Sequence, residues 1–213
     1  MNERLGLRER KKDATRIRLT KTALDMFEER GFDAVSVAEI AEAAEVSKKT
    51  VFNYFEVKED LILGAGKHHI GETARVIHDR PIGQTPHGAI REHWLKSLEE
   101  RQPMTGLSDH PFVLRIIRLT QSTPALIGRR MHYDCLSRDL LAKELVAESS
   151  SELSSRLIAA QIFVVQQELS GHNFRRIAAG VTADELYPEA VGAAEHAFRF
   201  LENGFGELLP RKA

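Results

Sequence analysis

Between Ser47 and Tyr54 the chain reads Ser-Lys-Lys-Thr-Val-Phe-Asn-Tyr, and a further Lys stands at 58. Lys, Thr and Asn carry donors and acceptors suited to base-pair edges, whose pattern in the major groove differs for every base pair. Lys48, Lys49, Tyr54 and Lys58 also suit phosphate oxygens, contacts that fix register without carrying sequence information. The chemistry on offer is recognition of double-stranded DNA rather than bond making. Spacing alone leaves an alternative, a three-helix packing unit with a solvated lysine face.

Positioning these side chains requires helices, and almost every segment reads as one. Strand signals are missing: few β-branched residues alternate, and no Asn-Gly or Asp-Gly hairpin turn occurs. Ile17, Ala23, Leu24 and Phe27 share one face of a first helix that Gly31 ends. Ser36-x-x-Glu39 is a capping box that opens a short helix over about 37–44. Ser47 caps another, through about Phe55. Two short helices joined by a tight turn after a longer one form a helix-turn-helix pattern. Leu24, Phe27, Phe32, Val37, Ile40, Ala41, Ala44, Val46, Val51 and Phe55 would fill its core, with Ala41 and Ala44 small enough for close crossing.

The run from Ser36 to Leu61, Ser-Val-Ala-Glu-Ile-Ala-Glu-Ala-Ala-Glu-Val-Ser-Lys-Lys-Thr-Val-Phe-Asn-Tyr-Phe-x-x-Lys-Glu-x-Leu, is similar to the DNA-binding domain of the TetR family of transcriptional regulators. The resemblance covers about residues 15–62. It implies that Ser36 caps the supporting helix and touches phosphate, and that Lys48, Lys49, Thr50 and Asn53 face the groove. Tyr54 and Lys58 would contact the DNA backbone, and Arg16, in the basic segment Arg10–Arg18, the minor groove or phosphates. Val37 and Ser47 complete the set, while Val51 and Phe55 belong to the core. One departure is Glu45, where the family usually has Gly in the turn. It should cost backbone strain rather than function.

The whole chain has 213 residues, 42% hydrophobic and 29% charged, an ordinary globular composition. Its single Cys, Cys135, excludes an internal disulfide and a thiolate zinc cluster. No apolar run approaches the ~18 residues of a membrane span, so a cytoplasmic protein is expected. Net charge is −1, but residues 1–21 hold eight basic and three acidic side chains and the remainder sums to −6. A basic arm on an acidic body suits a polyanion at one end; a solvated tail would read the same way.

Beyond the motif, one long helix is expected from about 58 to Arg80, weakened by Gly64, Gly66 and Gly71. Further helices follow over about 87–101, 111–122, 124–148, 152–178 and 188–207. The expected fold is all-α, about nine helices. A three-helix helix-turn-helix domain with its basic arm occupies 1–60, and a helical body occupies 61–213. The resemblance makes that body a ligand-binding and dimerisation domain. Leu157, Gln161 and Val164 on one late helix and Ala194, Ala197, Phe198 and Leu201 on the next would build a four-helix interface with a second copy, or else an internal core. Trp94, Leu98, Phe112, Ile116, Leu119, Met131 and Phe163 line either an apolar ligand pocket or simply the core.

A short similarity at Arg118-Leu119-x-x-x-Thr123-Pro124-Ala125-Leu126, together with Thr50-x-Phe52-Asn53-Tyr54-Phe55, to a TetR subgroup of acyl-CoA-like ligand binders implies a small hydrophobic or amphipathic ligand. Its anionic head would meet Arg115, Arg118, Arg129 or Arg130, unless these are surface charges. No motif requires a cofactor. The nine His residues lack the i, i+4 pairing of a metal site, and Cys135 reads as a buried apolar residue. The expected function is a ligand-responsive repressor that binds a palindromic operator as a homodimer, with recognition helices about 34–36 Å apart. The rivals are an all-helical enzyme, for which no nucleophile–base or Gly-rich phosphate motif speaks, and a DNA-binding protein that senses nothing.

Overall fold

A computed structural model describes residues 7–146 and 151–203, which form ten α-helices and two 3₁₀ turns and contain no strand. The expected all-α fold is what the chain adopts. It packs as two compact units: residues 1–68 with 115–132, and residues 69–114 with 133–213. The sequence placed the division near 60. The packing places it after His68 and assigns 115–132 to the first unit.

In the first unit, α1 (Leu7–Arg30) packs on α2 (Val37–Ala43) and on α4 (Asp60–Leu63), and α2 packs on α3 (Lys48–Tyr54). Leu19, Ala23, Leu24 and Phe27 of α1 are buried, as are Phe32, Ile40, Ala41, Ala44, Val51 and Phe55. Ile17 departs from expectation: it is 64% exposed, because the covered face of α1 begins later, at Leu19 and Thr20. Val37 and Val46 are half-buried at the edge of this core rather than inside it.

The short helices start where their caps dictate. Ser36 Oγ accepts from the Glu39 N–H at 3.2 Å, and the Ser36 N–H donates to Glu39 Oε2 at 2.8 Å, closing the capping box. Ser47 Oγ accepts from the Thr50 N–H at 3.0 Å. Between them the chain reverses through Glu45 at φ 54°, the left-handed conformation the missing Gly would have taken freely. The turn is closed by the Val46 N–H on the Ala41 carbonyl at 2.9 Å.

The second unit holds α5 (Glu72–His78), α6 (Pro86–Glu99), α9 (Glu152–Ala178) and α10 (Ala183–Asn203), with α10 packed on α6 and α9. Trp94, Ile77, Ile90, Leu98, Leu107, Leu169, Ala194 and Phe198 share its core. α7 (Pro111–Ser122) and α8 (Pro124–Val146) contribute to both units, and each opens on a proline, whose missing N–H costs nothing in a first turn.

The single helix expected over 58–80 is instead α4, a 3₁₀ turn over Gly64–His69, and α5. The break is sharpest at Gly71, at φ 73°, where a Cβ would also meet Leu140 Cδ1 at 2.8 Å. The last helix begins at Ala183 rather than 188. Thr182 and Glu185 form the capping box there, and Pro188 is carried inside at the loss of one backbone hydrogen bond. Ser149, Ser150 and Phe205 lie outside the described residues.

Replacing Glu45 with Gly should relieve the left-handed strain and stabilise the protein by about 1 kcal/mol, or about 2–4 °C for a chain of this size. Thermal melting checks this; an unchanged or lower midpoint would contradict the account of the turn.

Candidate nucleic-acid interface

α3 buries only Val51, with Phe55 just beyond its end buried on the same side. That anchoring turns Lys48, Lys49, Phe52 and Asn53 outward, all four exposed. Thr50, expected to face the groove, is half-buried, and its hydroxyl shares a 2.8 Å hydrogen bond with Ser47 Oγ. Both hydroxyls therefore serve the start of the helix. Ser36 does the same for α2, donating from Oγ to Glu39 Oε2 at 2.7 Å, and Val37 stands beside it, half-buried.

Tyr54 is half-buried with its ring 6.4 Å from that of Phe55, and the exposed Arg16 guanidinium lies 5.9 Å from the Phe55 ring centre. A cavity of about 330 Å³ opens here, lined by Arg16, Tyr54, Phe55, Asp60, Gly64, Lys67 and His68. Lys58 is turned inward. Its ammonium donates to the Phe32 carbonyl and sits 4.2 Å and 5.3 Å from the Phe32 and Phe27 ring centres. In this position it holds the loop after α1 against the core through a cation–π contact.

A buried charge lies behind these residues. Asp60 is fully buried, paired with Arg129 at 3.0 and 3.2 Å and with Lys67 at 2.6 Å. Arg115 reaches α1, where its Nε donates to Glu28 at 2.9 Å and its Nη2 to Asp25. Two of the four arginines considered as ligand partners are thus committed to acids of the first unit, which is why residues 115–132 pack with it. Sequence reading had no signal for these pairs, since 69 positions separate Asp60 from Arg129. Phe52 was legible: it stands four positions after Lys48, on the same helical side.

The seven residues considered for a ligand pocket are not brought together within either unit. Trp94 and Leu98 are sealed in the core of the second unit, at 2% and 0% exposure. Phe112 and Phe163 are half-buried in that unit, and Ile116 and Leu119 are half-buried in the first. Met131, also in the first unit, is 58% exposed, so it does not line a closed pocket there. Of the interface residues, Leu157, Gln161 and Val164 are exposed on α9, where Leu153 and Ile158 extend the apolar face. Ala194 and Phe198 are instead buried in the second unit's own core, because α10 presents that side to α6 and α9; Ala197 and Leu201 are half-buried.

Cys135 is exposed rather than buried. His69 and His93 both face Glu72, at 2.5 and 3.4 Å. Burial works to raise the Glu72 pKa, but the His69 hydrogen bond and the His93 ring beside it outweigh it and hold the carboxyl well below its usual range. Among the described residues no three His, Cys, Asp or Glu side chains gather as a metal site, and no helix is long and apolar enough to cross a membrane.

A capped helix-turn-helix here presents two lysines and an asparagine outward from its second helix, the architecture in which such a helix can enter a major groove. Residues 19–65 match the family described as bacterial regulatory proteins, tetR family. The chain is 28% identical to the HTH-type transcriptional regulator TcmR of Streptomyces glaucescens over 150 residues, 70% of this chain and 66% of that protein. It is 39% identical to the HTH-type transcriptional regulator LuxR of Vibrio harveyi over 61 residues, 29% of this chain and 30% of that protein. The chain thus spans just under two thirds of TcmR and under a third of LuxR.

Two solved structures share the fold. The native form of NalD, the secondary repressor of the MexAB-OprM multidrug efflux pump in Pseudomonas aeruginosa, superposes with a TM-score of 0.56 at 15% identity, covering 90% of this chain and 97% of that one. The transcriptional regulator FadR of Bacillus subtilis, solved in complex with stearoyl-CoA, gives 0.51 at 19% identity, covering 88% and 98%.

The capping carboxylate has a pH signature. The Arg30 guanidinium, 2.6 Å from Glu39 Oε1, and then the Ser36 N–H and hydroxyl lower the Glu39 pKa from 4.5 to about 2. Stability from this group is fully present above pH 4.5 and is lost as pH falls through about 2. Glu39→Gln should lower the melting temperature at neutral pH and flatten its decline across that acid window. An unchanged acid profile would contradict the capping role.

Proposed function

We propose that this protein is a sequence-specific DNA-binding transcriptional regulator, a cytoplasmic homodimer that represses from a palindromic operator and is released by a small molecule. The observation that carries the reading is α3 itself: Lys48, Lys49, Phe52 and Asn53 exposed together on a helix fixed from behind by Val51 and Phe55. Lys48 and Lys49 suit guanine O6 and N7 or phosphate, and Asn53 suits adenine N6 and N7. Tyr54 and Arg16 flank this face and suit the sugar–phosphate backbone. The protein acts by binding, not by catalysis.

Selection of genomic fragments by the full chain, followed by binding across a salt series, tests this. The expected result is a two-fold symmetric site bound about 10³-fold or more above scrambled DNA. Asn53→Ala should lose that preference, while Lys49→Gln should lessen the salt slope by about one phosphate. Equal binding to scrambled DNA in every selected fragment would overturn the reading.

Homodimerisation is supported by the apolar face of α9, with Leu153 68%, Leu157 53% and Val164 54% exposed. Leu157→Glu combined with Val164→Glu should yield a monomer by sedimentation, with operator binding weakened. A dimer that persists would move the interface elsewhere. For the effector we propose a hydrophobic or amphipathic molecule, acyl-CoA-like in the chemistry that the FadR neighbour holds. Arg118 and Arg130, both exposed, are the remaining candidates for its anionic head. Stearoyl-CoA is then expected to raise the melting temperature and dissociate the operator complex. Absence of both effects would exclude this ligand class while leaving DNA binding intact.

A further inference from the structure

We infer that Phe52 reads a base: its ring meets the C5-methyl group of a thymine in the major groove, so each operator half-site carries a thymine at that contact. The inference rests on the reading of α3 as the recognition helix. The outward side of α3 is formed by Lys48, Lys49, Phe52 and Asn53, and Phe52 is the one apolar member, 46% exposed. It follows Lys48 by four positions and Lys49 by three, so it shares their side and goes wherever they go. The two hydroxyls nearest this face, on Ser47 and Thr50, are occupied with each other and with the start of the helix. The direct readers that remain are two cations, an amide and a ring.

A phenyl ring has no donor or acceptor for a phosphate oxygen, in contrast to the hydroxyl of Tyr54. Against base edges it has one complementary group in the major groove, because thymine alone presents a methyl there. Core packing does not account for Phe52, since Val51 and Phe55 take the inward positions at 1% and 3% exposure. The ring thus gives the face a preference for an A·T pair, set between lysines suited to guanine and an asparagine suited to adenine. Withdrawing one methyl group from water against the ring corresponds to about a fourfold change in affinity.

The test uses the full chain and the site selected from genomic DNA. Each thymine of that site is replaced singly by uracil, which removes the methyl and leaves every hydrogen bond in place. The expected result is one thymine per half-site whose replacement weakens binding about fourfold, a penalty that disappears in Phe52→Ala. Phe52→Leu, which keeps an apolar tip, retains part of it, and the salt slope is the same in all three proteins. Circular dichroism and melting establish that both variants are folded. No sensitive thymine at any position, or a penalty that persists undiminished in Phe52→Ala, overturns the inference while DNA binding stands. Failure to select any preferred fragment overturns the regulator reading and this inference with it.

Discussion

A helix of seven residues does not hold its shape in water by itself, because nucleating the first turn costs more than so few hydrogen bonds return. α2 and α3 are both seven residues long, so their existence depends on what they bury. For α3 that is Val51 and, just past its end, Phe55, set against a core built from Leu24, Phe27, Phe32 and Ile40. The same burial decides which side of α3 faces water. Lys48, Lys49, Phe52 and Asn53 are presented together because their neighbours are held from behind. The caps at Ser36 and Ser47 then set where each helix starts, and Glu45 turns the chain between them at the cost of a left-handed residue.

Electrostatics settles the extent of the first unit. Asp60 has no exposed surface, and a carboxylate in that position requires cations close by. Arg129 and Lys67 supply them, and Arg115 pairs with Asp25 and Glu28 on α1. Through these arginines residues 115–132 pack with the helix-turn-helix although they lie far along the chain. Arg115 and Arg129 therefore hold the unit together, which removes them from the side chains available to an anionic ligand.

Much of the site was legible because its determinants are local. The capping box at Ser36 and the cap at Ser47 each act within four residues, and the two short helices begin where these stand. What depends on distant partners was not legible. Periodicity put Ile17 on the covered side of α1 without showing where the cover stops. It likewise put Ala194 and Phe198 on one face of α10 without showing that the face meets α6 and α9 rather than a second copy. Lys58 reads from sequence as a phosphate contact, and only the packing reveals its cation–π position over Phe27 and Phe32. Gly71 reads from sequence as a weakness in a long helix, but its left-handed backbone ends one element and opens another.

The outward side of α3 is the surface proposed to meet DNA. Amide chemical-shift mapping of the full chain during titration with a selected duplex tests it most directly. The account predicts the largest shifts at residues 47–54 and at Arg16, with the α9 face from Leu153 to Val164 unmoved. Shifts that bypass α3 and cluster elsewhere would contradict it.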